Sequence, residues 1–336
     1  MDVHRWRIIP IAVSEPAEAG RAQEFAEVQA ASARARLGEH ASPFSLAELQ
    51  RAYDPARTDR RQQALGALAG DGRVVGVSGL VMPLLDNVHA GYFLLDVLPE
   101  FWGRGVGSAL LAATEEVAAQ NGRTSLAVET SWLTGGQDLH GEGFAARRGY
   151  EPVLTTLQNE QDLTKPAAPG PPVDPAYVIE VAEGALPGDW LADRAVLQAR
   201  MSIDAPTGEL DTEPEVWTPQ RLQADMERQL ASGRQRVEAV ARHISSGRLV
   251  AFSYAMISAA TPTFAYQEDT LVLREHRGHG LGRAVKEAVA ARLRAAYPQV
   301  RSIRTWNATT NTHMLAVNAA MGYRAVAFER EWQKRL

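Results

Sequence analysis

Asp269-Thr-Leu-Val-Leu-Arg-Glu-His-Arg-Gly-His-Gly-Leu-Gly-Arg283 is the stretch whose reading decides the fold. Its first residues run to an apolar strand end at Leu271, Val272 and Leu273. His276 to Gly282 is a turn punctuated by glycines. Beyond Arg283 the apolar residues Ala284, Val285, Ala288, Val289 and Leu293 recur at helical spacing. The local order is strand, glycine loop, helix. Glycines at 278, 280 and 282 leave N–H groups uncovered at a helix N-terminus, where orphan donors and the helix dipole attract an anion. A dinucleotide fingerprint requires G-x-G-x-x-G, and Arg283 stands in place of its last glycine; a Walker loop requires Gly-Lys-Ser/Thr, which is absent.

The same order lies upstream. Gly103-Arg-Gly-Val-Gly107 follows a strand read over His89–Leu98 and precedes a helix over Ser108–Gln120; Gly278 comes 175 residues after Gly103 (278 − 103). Asp71-Gly-Arg-Val-Val-Gly-Val-Ser78 returns as Ser246-Gly-Arg-Leu-Val-Ala-Phe-Ser253 at the same offset (246 − 71), and Gly149-Tyr150 returns as Gly322-Tyr323 at 173 (322 − 149). Three landmarks at nearly one offset mark two copies of one domain, since a solenoid needs far shorter repeats. Before the first loop the sequence predicts a strand at Trp6–Ala12, helices over Glu18–Leu37 and Ser45–Ala52, and a strand over Arg73–Met82. Between the copies, Thr164-Lys-Pro-Ala-Ala-Pro-Gly-Pro-Pro-Val-Asp-Pro175 carries five prolines, which forbid helix and central strand and make an extended linker. The expected domains are 1–163 and 176–336, joined by 164–175.

The 336 residues suffice for two domains, and 45% apolar with 22% charged residues is a globular composition. No apolar run is long enough to span a membrane. Met1-Asp-Val-His-Arg-Trp-Arg is not followed by the apolar core of a signal peptide, so a cytoplasmic location is expected. Cysteine is absent, which excludes disulfides, thiolate-bound metal and a cysteine-bound acyl intermediate. A formal charge of −5 gives no reason to expect nucleic acid.

Arg277-x-x-Gly280-x-Gly282 directly after a strand resembles motif A of the GNAT acetyltransferases, whose loop holds the pyrophosphate of acetyl-CoA. Downstream, Asn307-Ala-Thr-Thr-Asn311 and then His313 to Gly322-Tyr323 resemble the later element of that family, an Asn opening a short helix that ends in Gly-Phe or Gly-Tyr. The resemblance covers nearly the whole chain, twice. It implies an α/β (α+β mixed) fold of two tandem GNAT-like domains, each a mixed central sheet flanked by helices, similar in architecture to tandem members such as mycothiol synthase. It also implies a cosubstrate, acetyl-CoA, and no metal. The implied contacts in the second copy are Leu271, Val272 and Leu273 through their backbone, Arg277, Gly278, His279, Gly280, Leu281, Gly282 and Arg283 in the loop, and Asn311. In the first copy they are Val97, Leu98, Gly103, Arg104, Gly105, Val106, Gly107 and Ser108. The expected reaction is direct acetyl transfer to a primary amine of a small molecule by a monomer or homodimer. The alternatives are an acetyl-CoA-binding sensor or scaffold without catalysis, and acetylation of a peptide or protein.

Such a transfer needs a neutral amine, a polarised thioester carbonyl and an exit for the thiolate. Glu268 and Asp269 are the acids nearest the carbonyl-polarising strand; strand alternation predicts that they point to opposite faces, so that one of them serves as base. Tyr266 is a further site-facing candidate. Many family members carry a Tyr four residues before the Gly of the last motif, as acid to the sulfur. Here that place holds Asn318, an amide that bonds the sulfur or pantetheine but supplies no proton, or that is satisfied within its own helix. Asn311 has N-capping as its structural alternative. His276, His279 and His313 match no zinc spacing. In the first copy Trp102 stands for Arg277, Phe93 and Leu94 for the acidic pair, and Ala145 for the Tyr, so that copy is expected to be non-catalytic; Glu129 and the segment from Trp132 to Glu142 are its remaining polar resources. Asp204, Glu209, Asp211, Glu213 and Glu215 form either an acceptor-facing group or a solvated loop.

Overall fold

The computed structural model describes residues 6–138, 140–166, 170 and 172–336. Linker positions 167–169 and 171 lie outside the described residues. The chain resolves into two compact units, one of 1–155, 207–213 and 327–336, the other of 156–206 and 214–326.

The first unit runs β1 (Arg7–Ile11), α1 (Ala19–Leu37), α2 (Leu46–Ala52), β2 (Arg60–Leu68), β3 (Val74–Pro83), β4 (Ala90–Val97), α3 (Val106–Gln120), β5 (Ser125–Leu133) and α4 (Gly141–Arg147). Next comes β6 (Glu151–Asp162), whose residues from 156 belong to the second unit. The second unit continues with β7 (Tyr177–Glu183), α5 (Leu191–Asp204), α6 (Pro219–Ala231), β8 (Gln235–His243), β9 (Leu249–Ile257), β10 (Phe264–Val272), α7 (Leu281–Ala296), β11 (Ser302–Ala308) and α8 (Thr312–Ala320). The final strand, β12 (Arg324–Arg335), returns from residue 327 to the first unit. The element order of the first copy is thus repeated in the second. Strand β2 and α5 carry weak signals: Arg60-Arg-Gln-Gln-Ala-Leu-Gly66 lacks the apolar alternation that marks a strand, and α5 has no side-chain cap; α6 does carry one, Thr218 accepting from Arg221 N with Pro219 in the first turn, a signal the sequence reading did not use. Helix α2, by contrast, starts on a full capping box between Ser45 and Glu48.

In the first unit the strands pair in the order β1-β2-β3-β4-β5-β12; in the second, β7-β8-β9-β10-β11-β6. Pairing is antiparallel except between β4 and β5 and between β10 and β11, where α3 and α7 make the crossover a parallel pair requires. The domain boundary expected at the linker therefore differs from the units found. Strand β6 precedes the linker, yet its 156–162 stretch pairs with β11; β12 ends the chain, yet its 327–335 stretch pairs with β5. Each copy's last strand completes the other copy's sheet.

Apolar side chains pack both faces of each sheet. In the second unit Val285, Val289 and Leu293 of α7 lie against Val237, Ala239 and Ile303 on one face, and Leu197 of α5 and Met226 of α6 cover Val240, Phe252 and Met256 on the other. In the first, Phe25 and Val28 of α1 sit on Ile11, Leu68 and Val77, and Leu110 and Leu111 of α3 occupy the opposite face.

Candidate active site

Strands β10 and β11 run side by side only from Phe264 to Tyr266 against Ser302 to Arg304. Beyond Tyr266 they part, and Thr270 to Val272 keep pairing with β9 alone, so their other backbone edge is open. The first unit does the same: β4 and β5 pair from Ala90 to Phe93 against Ser125 to Val128 and then diverge. Each opening leads to its glycine loop. Gly278 and Gly280 take φ of 87° and 71°, and Gly103 and Gly105 take 71° and 87°, a region costly for any residue with a Cβ. Gly280 and Gly105 are the N-caps of α7 and α3 and make no side-chain cap, leaving the helix N–H groups to a ligand. Gly282 and Gly107 are already helical; a Cβ on Gly282 would stand 3.5 Å from Val272 Cγ2, so this glycine lets the helix start close against the strand.

Arg277 braces the loop. Its Nε donates to Val272 O at 3.1 Å and its Nη2 pairs with Asp204 at 2.8 Å. In the first copy the indole Nε1 of Trp102 donates to Val97 O at 2.8 Å. Both residues sit at the same repeat position (277 − 102 = 175), as do the carbonyls they cap (272 − 97 = 175), so the indole does the guanidinium's structural work. Trp6 further covers the first loop, donating from Nε1 to Arg104 O at 3.0 Å.

The acidic pair lies where β10 bulges. Gln267 faces Ala255 and Thr270 faces Ser253, so Glu268 and Asp269 together stand opposite Tyr254. Opposite-face alternation, expected for adjacent strand residues, breaks down here because a bulge sets two residues against one. Both carboxylates act on the Tyr254 phenol, and burial together with those charges raises its pKa. Asp269 accepts from Gln198 Nε2 of α5 at 2.8 Å. Behind it, buried Arg194 and Arg236 flank Glu238, Arg236 at 2.6 Å, with the guanidiniums 3.5 and 3.7 Å from the rings of Phe252 and Tyr254. Burial costs the Glu238 carboxylate, but the Arg194 and Arg236 charges hold its pKa down. Two guanidiniums face Glu238 and Asp269; their charges and the Gln198 bond favour the Asp269 carboxylate, but burial outweighs them and its pKa is raised. Glu268 is reached by solvent yet crowded by protein. That desolvation, and then the charge of Asp269, raises its pKa to about 7.

Tyr266 lies in the paired part of β10, stacked on Trp306 with ring centroids 5.9 Å apart. Asn311 caps α8, accepting from Met314 N at 3.2 Å. Asn318 is buried; its Nδ2 donates to Asn307 Oδ1 at 2.6 Å, and its Oδ1 has no hydrogen-bond partner. Asn307, on β11 beyond the splay, was passed over in the sequence because its role shows only in that pairing.

The five early acids do not form one group. Asp204 is tied to Arg200 and Arg277, and Glu215 accepts from Trp217 Nε1 at 2.7 Å. Glu209, Asp211 and Glu213 belong to the first unit, where Glu213 N donates to Asn87 Oδ1 and Asp211 lies 3.6 Å from His89 Nε2. In the first unit Glu129 stands directly across from Glu331 of β12; burial raises the pKa of Glu129, and burial and the Glu129 charge raise that of Glu331 to about 7. Strand β4 pairs with β3 in one unbroken register and has no bulge. His276 and His279 gather with His243 around Tyr177, while His313 is on α8; among the described residues no group of three or more His, Asp or Glu is placed to hold a metal.

Residues 31–144 match the family model described as the acetyltransferase (GNAT) family. The match falls on the first copy, although the fuller loop motif is in the second. No curated protein matches the chain. Among solved structures, the chain is similar to a tandem GNAT protein from the clavulanic acid biosynthesis pathway, at 26% identity and a TM-score of 0.82 over 98% of both chains. It shares a fold with a GCN5-related N-acetyltransferase from Sphaerobacter thermophilus, at 18% identity and a TM-score of 0.71 over 99% of this chain and 96% of that one. With its repeated splayed sheets, its two glycine loops and this full-length likeness, the chain has a tandem GNAT-superfamily fold, and residues 31–144 match the model of that acetyltransferase family.

Proposed function

We propose that the protein moves the acetyl group of acetyl-CoA to the primary amine of a small molecule, and that the second copy does so. The observation that carries this reading is the bulge in β10. It sets a carboxylate with a pKa of about 7 at the open edge of a splayed strand that leads into an uncovered glycine loop. The N–H groups of the loop and of the first turn of α7 hold the pyrophosphate. The free edge of Leu271 to Leu273 aligns the pantetheine arm and polarises the thioester. Glu268 takes a proton from the ammonium form of the acceptor, directly or through one water, and the neutral nitrogen attacks the carbonyl carbon. Asp269, held by Gln198 and facing the Arg194–Glu238–Arg236 group, takes no part in the proton transfer. Asn318 holds Asn307 and gives no proton, so as the C–S bond breaks the adduct nitrogen releases its second proton to solvent and the departing thiolate takes a proton from solvent. The first copy, with neither bulge nor acidic pair at this place, binds acetyl-CoA without transfer. Cytoplasmic location and the absence of nucleic-acid or membrane partners belong to the same reading; no described helix is long and apolar enough to cross a membrane.

Release of free thiol from acetyl-CoA, measured against a panel of small primary amines and short peptides, tests the reading. Amine-dependent release is expected. Tight acetyl-CoA binding without release against any acceptor would favour the sensor reading, and release with peptides alone the protein-acetylating one.

A further inference from the structure

The mouth of the second splay has walls of different chemistry. Tyr266 and Arg304 are the last residues that β10 and β11 pair. Tyr266 lies opposite Met256, whose side chain packs under α5 and α6, so its ring is on the α5 side of the sheet, and Arg304, in register with it, points the same way. Two residues beyond that pair, Glu268 stands on β10 and Trp306 on β11. Alternation brings Trp306 back to the α5 side, where its ring stacks on Tyr266 with an interplanar angle of 18°. The bulge turns Glu268 to the same side: its charge and that of Asp269 act on the Tyr254 phenol, and Asp269 is bonded by Gln198 of α5. Phe264, two residues back along β10, meets Tyr266 edge-on with ring centroids 5.1 Å apart. Glu268 is exposed and both Tyr266 and Trp306 are half-buried, so solvent reaches the acid and both rings.

We propose that the acceptor is an arylalkylamine, its amino group at Glu268 and its planar ring packed on the Trp306–Tyr266 stack. This rests on the acyl-transfer reading above and names the substrate class of the same site. Paired strands lie about 4.8 Å apart, and these two open from that spacing, so a linker of about two carbons lets one molecule touch the carboxylate on β10 and the indole on β11. While still protonated, the amine sits between a carboxylate and aromatic faces, both of which attract a cation. Once it is neutral, the ring contact keeps it in place for attack. The indole Nε1–H of Trp306 is buried without a hydrogen-bond partner among the described residues, an open donor at the edge of this wall. Beside it the lining offers little to a polyhydroxyl body. Arg304 is engaged by Glu160 at 3.3 Å and lies 4.1 Å from the Phe264 ring centroid, and Gln158, across from Trp306 on β6, is buried. An amino sugar would leave its hydroxyls against rings.

The first copy lacks this arrangement. The fifth residue of β11 is Trp306; the fifth of β5 is Glu129, which stands across from Glu331. Leu94 occupies the place of Asp269 (269 − 94 = 175) and Gly79 that of Tyr254 (254 − 79 = 175). The ring platform is confined to the copy that carries the proposed base, as expected if it serves the acceptor and not the fold, which both copies share.

Thiol release from acetyl-CoA by the full chain, measured with tyramine and phenethylamine against hexylamine and glucosamine, tests this. In the wild-type protein kcat/KM for the two arylalkylamines is expected to exceed that for the other two by about tenfold or more, chiefly through KM, the scale of one aromatic stack with its buried area. Trp306→Phe should keep most of that preference. Trp306→Leu, which keeps an apolar side chain and removes the ring, should lower the aryl-to-alkyl ratio to about one, while calorimetry with CoA shows the donor site intact. Wild-type values for the arylalkylamines no higher than those for hexylamine or glucosamine, or a Trp306→Leu ratio equal to that of wild type, overturn the assignment. If Trp306→Leu does not fold, the wild-type and Trp306→Phe ratios decide. Acetyl-CoA binding without release to any amine overturns the acyl-transfer reading itself.

Discussion

In the proposed reaction Glu268 and Asp269 do different work, and the difference comes from their partners. Asp269 is bonded by Gln198, faces two guanidiniums and has its pKa raised by burial; Glu268 has its pKa lifted from 4.5 to about 7 by desolvation and by Asp269. A base must be deprotonated to act, so turnover should climb as pH rises through about 7 and then level off. Glu268→Gln should remove that limb and cost about 10²-fold in turnover, with partial recovery at high pH, where the amine is already neutral. The linkage runs the other way for stability. The folded protein holds this proton more tightly than the unfolded chain, so the contribution is present below about pH 4.5 and lost as pH rises through about 7. Burial penalises the Asp269 charge more than its partners favour it, so Asp269→Asn, which keeps an acceptor for Gln198, should leave the second unit at least as stable at neutral pH. Chemical denaturation and pH–rate profiles of the two variants separate the roles; an unchanged profile in Glu268→Gln would move the base elsewhere. The types and positions of these acids were legible in the sequence. Their roles were not, because Gln198, Arg194 and Arg236 lie far away in the chain.

At the scale of elements, the bulge is the feature the sequence concealed. In the first copy Val81 pairs with Tyr92, a separation of 11 (92 − 81); in the second Met256 pairs with Tyr266, a separation of 10 (266 − 256). At the loop end both copies return to 21 (97 − 76 and 272 − 251). The β9–β10 hairpin gives up the residue that the bulge gains, so the repeat offset reads the same on both sides and no insertion shows. Helix α7 carries a second departure from the repeat. Lys286 is buried where the first copy has Leu111 (286 − 111 = 175), with Nζ 5.0 Å from the Tyr323 ring centroid and its pKa pushed down to about 7 by burial. The unfolded chain binds this proton up to about pH 10.5, so stability should rise with pH between about 7 and 10.5 and carry the full penalty below that window. Lys286→Leu should stabilise the second unit by on the order of 3 kcal/mol near pH 7 and flatten that slope. Thermal melts across that range are the check, and a destabilised variant would mean that the ammonium has a favourable role.

For the whole molecule, the two glycine loops announced two copies, but not which strand completes which sheet. β6 and β12 hold equivalent places 173 residues apart (324 − 151), each of 12 residues and each following a Gly-Tyr pair, so nothing local to either selects its partner. Because each unit contains strands from both sides of the linker, a chain cut within 164–175 should remain one species on size exclusion under native conditions and separate only on unfolding. Fragments that part without denaturant would contradict the exchanged pairing. The central claim is that chemistry belongs to the copy with the bulged strand. Its most direct test is amine-dependent turnover in Gly280→Asp and Gly105→Asp, each of which sets a carboxylate and a Cβ where a pyrophosphate needs close backbone approach. Turnover should vanish in Gly280→Asp and persist largely intact in Gly105→Asp; equal loss in both, or survival in Gly280→Asp, would contradict the account.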